Sequence, residues 1–414
     1  MNRKVLLSIG LVVVLIVAYF SIRKPMADSL NQKGLGSYQE NEYIMAEKYF
    51  KKSLLWKRNS TISLINLIKS QLAQDKITEA REILVKLIKS SPDNAQTYAV
   101  EGQILVMENK FIDAIDILSL AIEKDTLLSY AYYYRGIARA NINDLDGAAD
   151  DYLKARELDK ENVEILKEGA IVLSKLEDFE AAIENYNKLI ELDPSNTDAF
   201  LNRGNFKMKI LDYKGAIDDF SSAISLDDQL AEAYFNRGKS YGNTKVFEKA
   251  IDDFSKASEL NYKVSSANYN SGLASLQLNQ PDKAKKYLNN CIKSDSESKH
   301  SANAYHLLGV MEMMQNRNEK ALSYFNRSLE LDPENIDAYY NRGIAYGLLL
   351  KPQEALNDLN KCLHLGKKTA DLYFALGVQK IGMNNFDDGC RDLKTASEMG
   401  YEQASEMIIQ YCKD

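Results

Sequence analysis

Residues 199–204 read Ala-Phe-Leu-Asn-Arg-Gly, and residues 215–223 read Gly-Ala-Ile-Asp-Asp-Phe-Ser-Ser-Ala. Residues 233–238 repeat the first phrase as Ala-Tyr-Phe-Asn-Arg-Gly, and residues 249–257 repeat the second as Lys-Ala-Ile-Asp-Asp-Phe-Ser-Lys-Ala. Gly204 to Gly238, Ala216 to Ala250 and Phe220 to Phe254 are each 34 residues apart. Self-similarity at a fixed period of this size signals stacked repeats rather than one globular core.

Stepping by 34 in both directions finds small residues at Gly102, Gly136, Ala170, Gly204, Gly238 and Gly272. A second small site runs through Ala80, Ala114, Ala148, Ala182, Ala216, Ala250 and Ala284, with a large residue four places later in each unit. This gives seven units in register over 61–298. Gly272 to Gly309 is then 37 residues, and the polar stretch 294–301 holds the excess, placed as a joint at 299–301. Three units follow over 302–403, marked by Gly309 with Ala321, Gly343 with Ala355, and Gly377 with Gly389. A degenerate unit at 27–60 carries Gly34, Ala46 and Phe50, and 404–414 reads as a polar capping helix.

Each unit parses as two short helices. In 231–264 the residues Ala233, Tyr234, Arg237, Gly238 and Tyr241 recur at helical spacing, as do Ala250, Ile251, Phe254 and Ala257. The glycines and alanines let two backbones approach, and the aromatics fill the wedge beside them. The pattern resembles the tetratricopeptide repeat, whose first helix runs large–Leu–Gly–Tyr and whose second runs Ala–Phe–Ala–Pro. Here Arg135, Arg203, Arg237 and Arg342 replace the Leu. The resemblance implies an all-α, right-handed superhelical solenoid whose concave groove, lined by first helices, binds peptide or protein segments.

Composition narrows the remaining possibilities. Across 414 residues the net charge is −7, which argues against a nucleic-acid partner. At the N-terminus, residues 5–22 form an uncharged, mostly apolar run between Arg3-Lys4 and Arg23-Lys24. As a helix the run would be ~27 Å long, enough to cross a bilayer. We therefore expect a membrane anchor over 1–24, with a cleaved signal or a buried helix as alternatives. A linker over 25–36 and repeats on the periplasmic side of a bacterial inner membrane complete this expectation.

No catalytic constellation, metal-ligand spacing or phosphate loop is present, so an enzyme, a cofactor and a small-molecule substrate are not expected. The pairs Asp150-Asp151, Asp218-Asp219 and Asp252-Asp253 recur with the repeat, early in the second helix, where negative charge suits the helix dipole. Asn202, Asn236 and Asn270 fall in successive units and Asn341 in a later one. By the resemblance they face the groove, where an amide can donate to and accept from a polypeptide backbone. Capping or contact with water is the other reading of these amides. Tyr133, Phe235, Tyr269, Tyr340 and Phe374 stand one place earlier, as partner anchors or as inter-helix packing.

Family members that serve as co-chaperones grip a C-terminal carboxylate with lysines and asparagines. That set cannot be placed here, because Glu232 and Asp337 stand where lysine is wanted. Cys390 and Cys412 could pair in an oxidising compartment, and Cys291 and Cys362 occupy small core positions. The reading reached is a non-catalytic, protein-binding scaffold at the cell envelope. A soluble or cytosol-facing adaptor, and an accessory subunit of a cell-wall or glycan enzyme, remain open beside it.

Overall fold

The computed structural model describes residues 3–412, with side chains from residue 21 onward. Every regular element among them is an α-helix. The chain divides into two compact units, residues 1–199 and 200–414. The first contains α1 (Arg3–Gln39), α2 (Tyr43–Trp56), α3 (Thr61–Leu72), α4 (Ile77–Ser90) and α5 (Ala95–Met107). It continues with α6 (Phe111–Lys124), α7 (Ser129–Asn141), α8 (Leu145–Leu158), α9 (Val163–Lys175) and α10 (Phe179–Leu192).

The second unit takes most of α11 (Thr197–Lys209), then α12 (Tyr213–Leu226), α13 (Ala231–Asn243), α14 (Phe247–Glu259) and α15 (Val264–Gln277). There follow α16 (Pro281–Ser294), α17 (Lys299–Met314), α18 (Asn318–Leu331) and α19 (Ile336–Leu348). It closes with α20 (Pro352–His364), α21 (Ala370–Gly382), α22 (Phe386–Glu398) and α23 (Glu402–Tyr411).

Local chemistry sets the helix ends. Ser60, Asn94, Asn162 and Asn335 cap first helices by accepting from a backbone N–H three residues on. Asp144, Asp178 and Asp212 do the same for second helices. Between the two helices of each hairpin one residue takes a left-handed backbone. These are Asn41, Asp75, Asn109, Asn143, Glu177, Leu211, Lys245, Asn279, Asn316, Leu350 and Asn384. The 34-residue period, and its single excess of three, is thus written into the main chain as well as the side chains.

Close helix approach explains the small residues. A Cβ added at Gly204 would lie 2.7 Å from the Phe220 ring, and one at Gly309 would lie 2.6 Å from Phe325. Gly136, Gly238, Gly272 and Gly343 face Tyr152, Phe254, Leu288 and Leu359 in the same way. The partner always stands sixteen places later. Ala148, Ala216, Ala250 and Ala321 are fully buried. Around these contacts the core grows from hairpin to hairpin. In the first unit Ile65 and Ile68 meet Leu84 and Leu87, then Val100 and Ile104. In the second, Ala284, Leu288 and Cys291 meet Ala304, Leu308 and Met311.

Three expectations are corrected. First, among the described residues no helix is long and apolar enough to cross a membrane, so a single-pass placement in an inner membrane is not supported. Most of the expected anchor, residues 1–20, lies outside the described side chains. What is described of its end is tied to the fold, since Arg23 Nε donates to the backbone carbonyl of Trp56. Second, residues 25–36 are not a linker. α1 runs through Pro25 to Gln39 and buries Ala27 and Asn31. Gly34 packs against Phe50, so its absent side chain serves close approach and not a turn.

Third, residues 299–301 are no joint but the first turn of α17, which has 16 residues where most first helices have 13 or 14. The inserted residues lengthen that helix. Ser298 caps it, and Ser301 Oγ donates to the Asp295 carbonyl.

Candidate functional site

The strongest recurring polar feature is a ladder of ion pairs that spacing alone did not reveal. Arg135, Arg203, Arg237 and Arg342 each meet the aspartate sixteen places later: Asp151, Asp219, Asp253 and Asp358, at 2.6–2.8 Å. These aspartates are buried, whereas Asp150, Asp218 and Asp252 face solvent. Pairing of a buried carboxylate with a half-buried guanidinium, more than the helix dipole, therefore accounts for the second aspartate of each pair. Each Arg also lies over the face of an aromatic three places earlier, such as Tyr234 beneath Arg237 at 5.5 Å. Arg135, Arg237 and Arg342 also reach back to the preceding second helix, at Ser119, Ser221 and Asn326. The sequence held the signal, since Asp stands sixteen residues after every one of these arginines.

This ladder is structural. The groove residues named from the sequence lie elsewhere on the first helices. In the second unit α15 touches α17, α17 touches α19 and α19 touches α21, giving one continuous face. Asn202 on α11, Asn236 on α13, Asn270 on α15 and Asn341 on α19 are all half-buried, and only the last two stand on this face. Three of them meet different partners. Asn236 donates to Asn205 at 2.8 Å, Asn270 approaches Ser266 at 3.5 Å, and Asn341 pairs with His306 at 2.8 Å.

The aromatic positions divide. Phe235 is only 4% exposed and lies edge-on to Phe254 and Tyr262, so it is core and not a free groove wall. Tyr133 is likewise packed against Tyr134 and Tyr152 in the first unit, and burial pushes its phenol up. Phe374 is covered by Tyr401, with ring centroids 4.6 Å apart. Tyr340 carries the Lys367 amine 4.2 Å above its ring. Tyr269 stacks edge-on with His300 at 5.7 Å.

Phe235, Asn270 and His300 come together at a cavity of about 810 Å³ spanning α13, α15 and the start of α17. Lys239, Lys263, Ser266 and the Asp295 carboxylate also line it. Lys263 has a left-handed backbone at the entry to α15. That conformation sets its amine 5.2 Å from the Phe235 ring centroid and 4.9 Å from that of Tyr262. The cavity therefore has an aromatic floor, a lysine held over it, and amide and hydroxyl groups on one wall. Such a lining can hold polypeptide backbone.

Among the described residues no group of three His, Cys, Asp or Glu side chains could hold a metal ion. At the C-terminal end Cys390 and Cys412 are joined in a disulfide, with Cα atoms 5.6 Å apart. Cys291 and Cys362 are buried free thiols.

Comparison with known proteins agrees with the helical pattern. Residues 172–209 and 309–349 match one family model described as TPR repeat, and residues 231–263 and 265–298 match another described as tetratricopeptide repeat. A DnaJ homolog subfamily C member 7 homolog from Dictyostelium discoideum is 29% identical over 165 residues, 34% of this chain and 30% of that protein. Hsc70-interacting protein 1 from Drosophila melanogaster is 36% identical over 101 residues, 24% of this chain and 27% of that protein. The chain thus spans less than a third of the length of either relative. The C-terminal part of a TPR repeat-containing protein from Cytophaga hutchinsonii superposes with a TM-score of 0.51 at 19% identity, covering 59% of this chain and 98% of that one. The chain carries tetratricopeptide repeats in an all-helical solenoid. Proteins of this kind are protein-interaction scaffolds, and no enzymatic family is indicated.

Proposed function

We propose that this tetratricopeptide-repeat chain binds an extended segment of another protein in the cavity over Phe235, Lys263, Asn270 and His300. One observation carries the reading: an aromatic floor and backbone-competent polar groups converge on a face made by successive first helices. The half-buried His300 ring supplies aromatic contact, and the Asn270 amide and Ser266 hydroxyl supply hydrogen bonds indifferent to partner sequence. A clamp for a C-terminal carboxylate is not favoured. Glu232 is approached by the Asn236 amide, and Asp337 by the Lys367 amine at 3.2 Å.

A photo-crosslinking residue placed at Ser266, on the cavity, and at Asp252, on the exposed side of α14, tests the proposal. Expressed in its own cells, the Ser266 variant should capture discrete protein partners that the Asp252 variant does not. Identical adduct patterns from the two positions would sink the assignment.

A further inference from the structure

The first unit contains a pocket of its own, about 320 Å³, between α3, α5 and the start of α7. Its walls are mostly aliphatic, with Leu35, Ile62, Ile65, Val100 and Leu128, and the amides of Asn66 and Gln96 complete the polar part of the lining. Into it projects one charged group, the Lys69 amine, which sits 4.2 Å from the centroid of the Tyr130 ring. Tyr130 is fixed from the other side, since its hydroxyl donates to Gln103.

Lys69 differs from the cations of the ion-pair ladder. Arg135 meets buried Asp151, and Lys207 meets buried Asp219. Lys69 has the face of a ring and no carboxylate. Burial holds its amine below the ordinary lysine range, and no neighbouring charge acts against that effect. A desolvated ammonium without a counter-ion is costly in an apolar setting. An arriving carboxylate would lower that cost, and the aliphatic walls would strengthen the attraction by excluding water. The same walls offer contact area to a bulky side chain, but little to a polar one.

We infer that this pocket is a second binding site, which takes a polypeptide segment with Asp or Glu beside a large aliphatic residue. The carboxylate pairs with the Lys69 amine above Tyr130, and the aliphatic side chain lies against Leu35, Ile62 and Leu128. The site is separate from the cavity of the second unit and does not depend on it.

Three blocked peptides test the inference on the full chain: acetyl-Ala-Leu-Glu-Ala-amide, its Gln analogue, and the analogue with Ala in place of Leu. Reductive methylation with isotope-labelled formaldehyde makes each lysine amine visible by NMR, and Lys69→Arg assigns the Lys69 signal. The Leu-Glu peptide should move that signal and bind at least about tenfold more tightly than either analogue, a difference of ~1.4 kcal/mol. Lys69→Met should remove the preference for Glu over Gln without lowering the melting temperature, and Lys69→Arg should retain it. Asn270→Ala should leave all of this unchanged, which separates the site from the one proposed above. An unmoved Lys69 signal at millimolar peptide overturns the inference. So does equal affinity for Glu and Gln peptides, or a Lys69→Met protein that still prefers Glu.

Discussion

Arg237 grips Asp253 with two parallel hydrogen bonds, Nε to Oδ2 and Nη2 to Oδ1, both 2.8 Å. Its third nitrogen donates to Ser221 Oγ at 3.1 Å on the preceding second helix. One guanidinium therefore closes its own hairpin and ties it to the hairpin before. Removing one partner strands the other charge in the interior. We expect Asp253→Ala to cost about 3 kcal/mol in urea unfolding. The double variant Arg237→Leu/Asp253→Leu should be clearly more stable than Asp253→Ala alone. Equal destabilisation by the two would mean that the pair acts only through packing.

The sixteen-residue relation also governs Gly204 and Phe220. A methyl at Gly204 meets the ring at 2.7 Å, well inside contact distance. Gly204→Ala should destabilise by about 1–3 kcal/mol through overpacking, and Phe220→Leu in the same chain should recover part of the loss. Gly242 has open space where its Cβ would point, so Gly242→Ala should be neutral or stabilising by up to ~1 kcal/mol. Chemical denaturation of the three variants checks the series.

Glu312 is 2% exposed and is surrounded by Lys285, Arg317 and Lys320. Hydrogen bonding from Lys285, with help from the other two cations, holds its carboxyl down to about 2. The folded pKa lies below the unfolded one, so this group stabilises the fold above the unfolded carboxylate range near ~4.3. That contribution is lost as pH falls from there through about 2. Glu312→Gln should cost about 1–2 kcal/mol at neutral pH, because the three cations are partly solvated. Its deficit relative to the parent should shrink as pH drops toward 2, and a pH-independent deficit would contradict the assignment.

The disulfide between Cys390 and Cys412 fastens α23 to α22 across 22 residues. Thiol counting under denaturing, non-reducing conditions should return two free thiols, from Cys291 and Cys362. Four would show that the bond does not form. Cys412→Ser should lower stability by about 2–3 kcal/mol and speed amide exchange first in α23, which fully buries only Ala404.

The repeat pattern of small and large residues made the two-helix unit legible in the sequence, because a steric need recurs wherever two backbones approach. The linker at 25–36 was misread because Pro25, Gly34 and Gly36 look like breakers in isolation. Tertiary contact with Phe50 uses Gly34 for a different purpose. The insertion before α17 was legible in length but not in form. Three extra residues can be spent as a loop or as a longer helix, and a serine cap at Ser298 decides for helix. Phe235 was assigned to the groove by its place in the repeat. Its burial depends on Phe254 and on Tyr262, and Tyr262 stands in a loop whose path the repeat does not specify. Nothing in the sequence marks Lys69 or Lys263, since a lysine over an aromatic ring leaves no sign at any fixed spacing.

Each hairpin turns on a single left-handed residue, and those from Asn41 to Asn279 are spaced by 34. Because the backbone arrives at every turn in the same state, the chain can be cut and rejoined between equivalent turns. Excising residues 246–279 leaves Lys245 followed by Gln280, the residue that ordinarily follows Asn279. The shortened protein should melt cooperatively with one hairpin fewer. Length in this molecule is therefore an inheritable quantity, adjustable by whole cassettes, while the chemistry of any one pocket stays with the few helices that form it.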